Sequence, residues 1–356
     1  MKLGIIGFGA MGKTHLDPII KRVNDNSPYE KIDVIGVYDI DPERCALAES
    51  LGLRSFASAE KLIAAVEAVV VATPNDVHLP YVLMAIEAGR SVIVEKPLAM
   101  NSDEAAKMYS AAKEHGVVFT PHQNRRWDKD YCAVKELYKN PSDIGRIYLI
   151  ESRVMGSNGI PGAWRRKVAQ GGGMMLDWGV HLIDQAVSMI DEDIVSVYCR
   201  YSYEAGEEVD DGFALEITFD SGLVYRIVVD TNSFIELPRW RIAGSDGTAV
   251  IHDWRASADT TLDIVSVLVR NDDKLEGVMA GNGLTKTMAK RRSETTASKS
   301  IPVLMPDRTE LYNNFAKAVR EGAPTIIKES EAMRVMKVME AAARSAKARE
   351  VIKERI

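Results

Sequence analysis

The sequence contains few cysteines, no long apolar run and no excess of positive charge. Its three cysteines, Cys45, Cys132 and Cys199, lie far apart and are odd in number, which argues against a disulfide framework and against a thiolate metal site. This cysteine usage is typical of a protein of the reducing cytoplasm. Because no run of about 18 apolar residues occurs, no transmembrane helix is predicted. A net charge of −6 argues against nucleic acid or an anionic membrane surface as a partner.

The first third of the chain alternates short apolar runs with helical patterns. The runs are rich in valine and isoleucine and end at polar or turn residues, as buried strands do. The predicted strands are Leu3–Ile6, Ile32–Tyr38, Ala68–Ala72, Ser91–Val94 and Val117–Thr120, and the predicted helices are Met11–Arg22, Pro42–Leu51, Val77–Ala88 and Ser102–His115. This alternation predicts an α/β fold with a parallel, doubly wound sheet. With 356 residues, 46% of them hydrophobic, the chain has room for about two domains.

The pattern changes after about Pro121. The predicted strands there are Ile147–Val154, Ile194–Tyr203, Phe213–Phe219, Leu223–Val229, Arg239–Ile242 and Ala249–His252, and the predicted helices are Met174–Met189, Thr309–Glu321 and Glu329–Ala348. Hairpin-like turns at Asp220-Ser221-Gly222 and Gly244-Ser245-Asp246-Gly247 predict a mostly antiparallel sheet. We therefore predict a doubly wound domain over residues 1–122 and an α+β domain over residues 123–356. Segment 271–300 is polar without clear periodicity, which predicts a long loop or a flap.

Gly7-Phe8-Gly9-Ala10-Met11-Gly12 is a G-x-G-x-x-G motif that follows a predicted strand and begins a predicted helix. Without Cβ atoms at Gly7 and Gly9, the backbone can turn tightly and approach a pyrophosphate, and free N–H groups at the helix start can bind it. Glycine clusters also occur in plain turns, so the strand before and the helix after the motif give it its weight. The sequence therefore predicts a dinucleotide site at these six residues.

An acidic residue, Asp39, ends the next predicted strand. A carboxylate there accepts hydrogen bonds from the adenosine ribose hydroxyls and repels a 2′-phosphate. Asp39 or Asp41 could instead cap the helix that begins at Pro42, and both roles are compatible if Asp41 is the cap. Since Ile40 cannot bind a phosphate and Arg44 lies further along the helix, NAD is favoured over NADP as the cofactor.

Two further predicted strands end in distinctive tripeptides. Thr73-Pro74-Asn75, with His78 three residues on, follows one strand, and Glu95-Lys96-Pro97 follows the next. Ligands of open α/β sheets bind beyond the carboxyl ends of the strands, so both tripeptides are predicted to lie at the cofactor cleft. Thr-Pro-Asn alone is more typical of a turn and a helix cap. Lys96, as an ammonium near a nicotinamide, could stabilise an alkoxide-like oxygen as hydride leaves carbon.

The segment Gly171-Gly172-Gly173 precedes a predicted helix that carries Asp177, His181 and Asp184. Asp177 and His181 are four residues apart and would share one helix face. A carboxylate beside an imidazole raises its pKa and orients it, which suits general acid–base chemistry. A histidine among aliphatic residues is also typical of a satisfied core position. The Asp-x-x-x-His-x-x-Asp pattern lacks another histidine at ligand spacing, so no metal site is predicted.

Together these residues resemble the Gfo/Idh/MocA oxidoreductase family, which includes glucose–fructose oxidoreductase and inositol dehydrogenase. The matching features are the glycine motif, Thr73-Pro74-Asn75 with His78, Glu95-Lys96-Pro97, and the glycine-rich segment followed by Asp177, His181 and Asp184. Their order and spacing match over nearly the whole chain, and the combination of the last two is specific. The resemblance implies a Rossmann domain followed by an α/β domain with a large open sheet. It also implies a homodimer or homotetramer formed through that sheet.

The resemblance implies catalytic roles for Lys96, Asp177 and His181 beside the nicotinamide. His181 would be the base, Asp177 would orient it or hold a neighbouring hydroxyl, and Lys96 would polarise the reacting oxygen. Asn124 would face the nicotinamide or the substrate, and Trp164 with Arg165 resembles a loop that covers the cofactor. The predicted cofactor-binding residues are Gly7, Phe8, Gly9, Ala10, Met11, Gly12, Asp39, Thr73, Pro74, Asn75, His78, Glu95, Lys96, Asn124, Trp164 and Arg165, and the predicted substrate-binding residues are Lys96, Asn124, Arg125, Trp164, Asp177 and His181.

Three functional hypotheses follow. The first is an NAD-dependent oxidoreductase that moves hydride between the nicotinamide and a secondary hydroxyl or ketone of a sugar, inositol or glycoside. The second is a glycosidase that retains NAD, oxidises the sugar transiently and eliminates the aglycone. The third is an NAD- and sugar-binding regulator without turnover, against which the presence of Lys96, Asp177 and His181 argues. Five arginines could meet an acidic substrate or pair with surface carboxylates: Arg125, Arg126, Arg153, Arg165 and Arg166.

Overall fold

The computed structural model of the chain describes residues 1–26, 31–255, 259–270, 277–285 and 290–356. The first six strands are β1 (Lys2–Ile6), β2 (Asp33–Tyr38), β3 (Arg54–Ser55), β4 (Ala68–Val71), β5 (Ser91–Val94) and β6 (Phe119–Pro121). They form one parallel sheet in the order β3-β2-β1-β4-β5-β6. Every residue of β4 and β5 is buried, as in a parallel sheet covered on both faces. The predicted doubly wound sheet is confirmed.

The helices of this region are α1 (Ala10–Thr14), α2 (Lys21–Asn26), α3 (Pro42–Ser50), α4 (Ala59–Ala65), α5 (His78–Glu87) and α6 (Ser102–His115). The single helix predicted over Met11–Arg22 is wrong. A π-helical segment, His15–Ile20, joins α1 to α2, and Asp17 within it has extended backbone angles (φ −142°, ψ 117°). The chain leaves the helical conformation at Asp17 because a residue that precedes a proline disfavours the α region.

The remaining strands are β7 (Ile147–Met155), β8 (Ile194–Ser202), β9 (Gly212–Phe219), β10 (Val224–Asp230), β11 (Trp240–Gly244), β12 (Gly247–Ile251), β13 (Thr261–Val267), β14 (Val278–Ala280), β15 (Gly283–Thr285) and β16 (Thr296–Pro302). Eight of them form a sheet in the order β16-β13-β12-β11-β7-β10-β9-β8. All its neighbours pair antiparallel except β7 and β10. The predicted large, mostly antiparallel sheet is confirmed, as are both predicted hairpin turns.

The prediction that 271–300 is a long loop or a flap is wrong for residues 296–300, which belong to β16. β14 and β15 form a hairpin, and β16, which begins at Thr296, pairs with β13 at the sheet edge. The side chains of β16 are almost all exposed, since an edge strand facing solvent needs no apolar side chains. Such a strand shows no hydrophobic periodicity, which is why the sequence did not reveal it. Residues 271–276 and 286–289 of this prediction lie outside the described residues.

The helices of the second part are α7 (Lys129–Lys139), α8 (Val180–Met189), α9 (Glu310–Glu321) and α10 (Glu329–Ala348). α10 packs against α8 and β8. α9 instead returns to the first sheet, where Tyr312 and Phe315 join the buried cluster that contains Leu3 and Phe8. The domain limits 1–122 and 123–356 stay a prediction. No helix of the described chain is both long and apolar enough to cross a bilayer.

Candidate active site

β1 ends in a glycine turn held against the neighbouring strand ends. Gly7 has φ +90°, and a Cβ there would lie 2.6 Å from the carbonyl oxygen of Ala72. A Cβ on Gly12 would lie 2.2 Å from the carbonyl oxygen of Gly7, so neither position accepts a side chain. By contrast, a Cβ on Gly9 would meet nothing closer than Nη1 of Arg44, at 3.5 Å. The turn is closely packed at Gly7 and Gly12 and open at Gly9. This arrangement fits a pyrophosphate, which must approach the backbone closely.

Asp39, at the end of β2, is bound to this turn. Its Oδ2 accepts a hydrogen bond from the backbone N–H of Phe8 at 2.6 Å, and its Oδ1 accepts one from Asp41 N–H at 2.9 Å. Asp41 caps α3 through Glu43 N–H, as the sequence allowed. Arg44 reaches back along α3, and its Nη1 lies 3.6 Å from Oδ2 of Asp39. A cationic group therefore stands beside the carboxylate expected at the ribose.

The residues of the glycine turn differ in what they can offer a cofactor. The Phe8 side chain is buried in the core, so only its backbone faces the turn. Ala10 is exposed, and Met11 is half-buried. At the end of β4, the hydroxyl of Thr73 is buried without a hydrogen-bond partner in the described chain. An unsatisfied buried hydroxyl next to the turn fits a ligand that supplies a polar partner.

The loop after β4 is held by two buried side chains. Nδ2 of Asn75 donates to the carbonyl oxygen of Gly171 at 2.8 Å, which ties this loop to the glycine-rich segment of the second part. The ring nitrogens of His78 lie 3.0 Å from the carbonyl oxygens of Pro97 and Thr73. His78 thus joins the loops after β4 and β5. Its contact with the cofactor stays a prediction. Pro74, which lies between Thr73 and Asn75 in the sequence, is half-buried.

Lys96, which follows β5, reaches across to the second part of the chain. Its ammonium donates to Oδ1 and to the backbone carbonyl of Asp177, both at 2.8 Å. Oδ2 of Asp177 lies 3.3 Å from Nε of Arg165, whose guanidinium stacks 4.6 Å above the ring of Trp164. Burial alone would raise the pKa of Asp177, but the charges of Lys96 and Arg165 bring it below its usual value. Asp177 is therefore an ionised carboxylate between two cations.

The predicted couple of Asp177 and His181 is not formed. The carboxylate of Asp177 is bound by Lys96 and Arg165, and Nδ1 of His181 is buried without a hydrogen-bond partner in the described residues. The segment Met175–Gly179 is a π-helical turn and α8 begins only after it, so the α-helical spacing behind the prediction does not apply.

The expected rise in the pKa of His181 is also wrong. Burial and the nearby charges of Lys96 and Arg125 hold the pKa of His181 well below its usual value. The imidazole is therefore neutral near neutral pH and free to accept a proton. A neutral acceptor beside a lysine ammonium is a suitable pair for removing a hydroxyl proton while the oxygen gains negative charge.

Glu95 lies behind Lys96 in a buried network. Its Oε1 accepts hydrogen bonds from Nε2 of His15 and Nδ1 of His122, both at 2.8 Å, and its Oε2 accepts one from the backbone N–H of Lys96 at 3.1 Å. Nδ1 of His15 lies 2.5 Å from the hydroxyl of Tyr312 on α9. Burial alone would raise the pKa of Glu95, but His122 and His15 bring it well below its usual value. The carboxylate is thus ionised and held by protein groups on both of its oxygens.

In the described chain, one group of three possible metal ligands has its ligand atoms within 4.8 Å of one another, and it consists of His15, Glu95 and His122. They hydrogen-bond to each other directly, so protons already satisfy the atoms that a metal would bind. We refer to these three residues and Tyr312 as the Glu95 cluster.

Aromatic side chains line the surroundings of His181. The guanidinium of Arg125 lies 4.2 Å above the ring of Trp178 and 5.2 Å from that of Trp254. Trp178 meets His181 edge-on, with ring centroids 6.2 Å apart. Nη1 of Arg125 donates to Asp128 at 2.9 Å. Of the predicted substrate residues, Arg125 is thus placed next to the candidate catalytic histidine.

Two family descriptions match the chain. One, an oxidoreductase family with an NAD-binding Rossmann fold, matches residues 1–123, and the other, the Gfo/Idh/MocA C-terminal domain, matches residues 131–250. The chain belongs to the Gfo/Idh/MocA oxidoreductase family. The resemblance inferred from the sequence is therefore confirmed.

Some of the relatives span nearly the whole chain. An NAD-binding protein from Listeria innocua, known as a crystal structure, is 39% identical, with 99% of each chain covered and a TM-score of 0.90. The scyllo-inositol 2-dehydrogenase (NADP(+)) IolW of Bacillus subtilis (strain 168) is 26% identical over 99% of this chain and 95% of its own. The D-glucoside 3-dehydrogenase of Escherichia coli (strain K12) is 30% identical over 57% of this chain and 58% of its own. These Gfo/Idh/MocA relatives differ in the substrates and cofactors that their names give.

Three of the five arginines considered for an acidic substrate in this Gfo/Idh/MocA protein pair with carboxylates outside the candidate site. Arg126 binds Asp184 through two hydrogen bonds of 2.8 and 2.6 Å, and it also binds Glu331. Arg153 pairs with Glu151, and Arg166 pairs with Glu207. Only Arg125 and Arg165, of the five arginines considered, contact the side chains of the candidate site. Asp184 thus belongs to a buried ion pair, not to a site with His181.

Sequence reasoning missed His15, His122, Tyr312 and Trp254. His122 directly follows β6, so the strand-end argument that selected Thr73 and Glu95 would have found it. Tyr312 and Trp254 carry no comparable signal, because only the tertiary fold brings them to the site. Asn124, which the resemblance implies would face the nicotinamide or the substrate, is exposed and lines a cavity of about 180 Å³ with His122 and Tyr312.

Proposed function

We propose that this protein is an NAD-dependent oxidoreductase that transfers hydride between the nicotinamide and a secondary hydroxyl or ketone of a sugar, inositol or glycoside. The observation that carries the proposal is the contact of the Lys96 ammonium with Asp177, 2.8 Å apart, in the surroundings of a neutral His181. Lys96 comes from the nucleotide-binding part and the other two from the second part. A substrate between them would meet a cation, a carboxylate and a proton acceptor.

The residues of the glycine turn fit a dinucleotide. The open backbone at Gly9, the Asp39 carboxylate and the unpartnered hydroxyl of Thr73 would hold it. When bound, the nicotinamide supplies the carbon that accepts or gives the hydride. Asp39 and the exposed, apolar Ile40 favour NAD over NADP, whereas Arg44 is the nearby group that a 2′-phosphate could engage.

The substrate side of the site has a defined division of roles. An ammonium has three N–H donors, and Asp177 takes two of those on Lys96, which leaves the third for the reacting oxygen. His181 removes the hydroxyl proton in oxidation and returns it in reduction. Asp177 is kept ionised by Lys96 and Arg165 and can accept a hydrogen bond from a neighbouring hydroxyl.

The names of the relatives and the aromatic surroundings favour a cyclic polyol. One relative is named for scyllo-inositol and another for D-glucosides, and both names describe oxidation of a ring that carries secondary hydroxyls. Trp178 meets His181 edge-on and Trp254 meets Trp178 edge-on, and aromatic surface of this kind suits the C–H face of such a ring. A sugar-like small molecule is therefore the proposed substrate.

Copies of the chain associate, in this proposal, through the open face of the eight-stranded sheet. On β10, Tyr225, Ile227 and Val229 are buried, whereas the alternate residues are not. Glu151 pairs on that face with Arg226 and Arg241. A face that combines aliphatic side chains with ordered ion pairs can pack against the same face of a second copy of the chain. Light scattering should give a dimer or tetramer, and a monomer would contradict this part of the proposal.

The proposed function is tested by a substrate panel with NAD⁺. scyllo-Inositol, myo-inositol, D-glucose and p-nitrophenyl glucosides are each mixed with the protein, and NADH absorbance and p-nitrophenol release are followed together. NADH formation with one of these compounds supports the proposal. Release of p-nitrophenol without net NADH formation would instead identify the NAD-retaining glycosidase. Binding of NADH without turnover of any compound in either direction would contradict both enzymes.

A further inference from the structure

A cavity of about 710 Å³ lies between the last turns of α10 and the strand β8, which forms one edge of the eight-stranded sheet. No residue of the candidate active site or of the Glu95 cluster lines it. Apart from two alanines, its lining consists of three cationic side chains and three phenols, and it contains no carboxylate. These six residues are Arg200, Lys347, Arg349, Tyr198, Tyr201 and Tyr203. Such a lining favours an anion that also carries a ring.

The three cations have no partner of opposite charge in the described part of the chain. Arg200, Lys347 and Arg349 form neither an ion pair nor a side-chain hydrogen bond there. On the same helix, by contrast, Arg344 pairs with Glu354. The net charge of the chain is −6, so a shortage of carboxylates is not the reason. Three unpaired cations around one cavity repel one another, and a bound anion would remove that repulsion.

Arg349 occupies a backbone position at which two other helices of the chain have glycine. α6 and α9 end at Gly116 and Gly322 in the left-handed conformation, with φ +64° and +68°. α10 ends at Arg349 with φ +60°, and among the described residues no other residue besides glycine has a positive φ. A Cβ is disfavoured in this conformation because it crowds the following carbonyl oxygen. An arginine at such a position indicates that its guanidinium has a use.

Hydrogen bonds of Ser345 hold the two walls of the cavity together. Its buried Oγ accepts a hydrogen bond from the N–H of Cys199 on β8 at 2.9 Å and donates one to the carbonyl oxygen of Glu350 at 2.6 Å. Its carbonyl oxygen accepts the N–H of Arg349 at 2.7 Å. After the helix, the chain returns to pair with β8. Since both walls are fixed before a ligand arrives, little ordering is needed to bind one between them.

We propose that this cavity binds a phosphate ester that carries a ring. Two guanidinium groups and an ammonium suit a phosphate dianion, because each guanidinium can donate two parallel hydrogen bonds to it. Tyr201 and Tyr203, with ring centroids 6.5 Å apart, offer aromatic surface to the ring of the ligand, and Tyr203 is 51% exposed. The cavity is separate from the candidate active site, so this inference does not depend on the proposed function.

Calorimetric titration with phenyl phosphate and with inorganic phosphate tests the site. The full chain is saturated with NADH beforehand, so that the glycine turn is not available to either probe. Phenyl phosphate should bind, and inorganic phosphate should bind more weakly because it lacks the ring. Both affinities should fall as salt is added, since the lining attracts the probes through exposed charges.

Arg349→Gly separates the loss of a ligand contact from the loss of the fold. Glycine suits the left-handed position, so the Tm of this variant should equal or exceed that of the parent protein. Its affinity for phenyl phosphate should nevertheless fall by about 10-fold or more, because a charged hydrogen-bond donor is removed. Arg200→Gln should weaken binding to a similar extent. Arg344→Gln, on the same helix but outside the cavity lining, is the matched control and should bind phenyl phosphate as the parent does.

An affinity for phenyl phosphate that is the same in Arg349→Gly, Arg200→Gln and the parent protein would overturn the proposal. So would the absence of saturable binding to the NADH-saturated parent. Light scattering on the same samples adds a second readout, because the alternative use of these cations is contact with another copy of the chain. A lower oligomer mass in either variant, without phosphate binding by the parent, would assign the cations to that contact and exclude the proposed site.

Discussion

The ammonium of Lys96 and the carboxylate of Asp177 are 2.8 Å apart, although 81 residues separate them in the chain. The contact joins the end of β5 to the helical segment after the glycine-rich loop, and so it brings the two halves of the candidate site together. The Lys96 ammonium can stabilise negative charge on the reacting oxygen, and Asp177 holds that ammonium in position. The contribution of Lys96 to turnover can be tested by a substitution that leaves the glycine turn unchanged.

Lys96→Met is expected to lower turnover by about 10²- to 10³-fold, because the cation beside the developing alkoxide is lost. NADH affinity should change little, since the glycine turn and Asp39 are untouched. The pKa of Asp177 should rise, because Lys96 is the main charge that lowers it. Steady-state kinetics and NADH fluorescence titration measure these effects, with the exposed Lys107→Met as the matched control. Normal turnover of Lys96→Met would refute the assignment.

His181 should work as a base at pH values below its ordinary pKa of 6.5. Burial and the charges of Lys96 and Arg125 lower its pKa, and a base is active above its pKa. The value of kcat/KM for oxidation should therefore stay level as the pH falls below 6.5 and decline only at lower pH. Arg125→Gln removes one of those charges and should move the decline to higher pH. A decline that stays where it is in Arg125→Gln would show that another group limits the rate.

Asp39→Asn should weaken NADH binding by about 10-fold, because a charged acceptor of the Phe8 N–H and of the ribose becomes neutral. Arg44→Gln should weaken NADPH binding more than NADH binding, since the guanidinium is the group available to a 2′-phosphate. Fluorescence titration measures the dissociation constants of NADH and NADPH for the parent protein and for both variants. Tighter binding of NADPH than of NADH to the parent protein would contradict the preference for NAD.

Much of the fold was predictable from local patterns. Strands β4 and β5 of the parallel sheet consist mostly of valine and isoleucine, and residues of the candidate site follow their carboxyl ends. The same logic selected Lys96, whose ammonium contacts Asp177 in the second part of the chain. It could not reveal β16, because an exposed edge strand has no hydrophobic period.

Part of the candidate site was predictable from the sequence, but the pairing of its side chains was not. The spacing of Asp177 and His181 predicts a couple only on a regular α-helix, and the π-helical turn removes that premise. Lys96 and Arg165 both bind the carboxylate of Asp177 instead, and no local sequence pattern shows these contacts. Likewise, only the tertiary fold brings Tyr312 on α9 and Trp254 in the loop after β12 to the site.

Asp210 should make folding stability depend on pH. It is buried, and its Oδ2 accepts the backbone N–H of Met175 at 2.8 Å. Burial raises its pKa from 3.8 to about 6, so the folded protein binds the proton more tightly than the unfolded chain does. The stability that this group contributes is therefore lost as the pH rises from about 4 to about 6, by roughly 3 kcal/mol at most. Asp210→Asn should raise Tm more at pH 8 than at pH 5, and an equal change at both pH values would contradict the burial argument.

Trp254→Ala should raise KM for a ring substrate while changing kcat much less. Trp254 lies beside Arg125 and meets Trp178 edge-on at 5.4 Å, so it can cover the apolar face of a ring without touching the reacting carbon. An interaction that is equal in the ground state and the transition state changes KM and leaves kcat unaltered. The expected increase is about 10-fold, corresponding to the loss of one aromatic contact. Phe234→Ala, at an aromatic residue that is 81% exposed, is the control. A fall in kcat with unchanged KM would place Trp254 among the groups that orient His181.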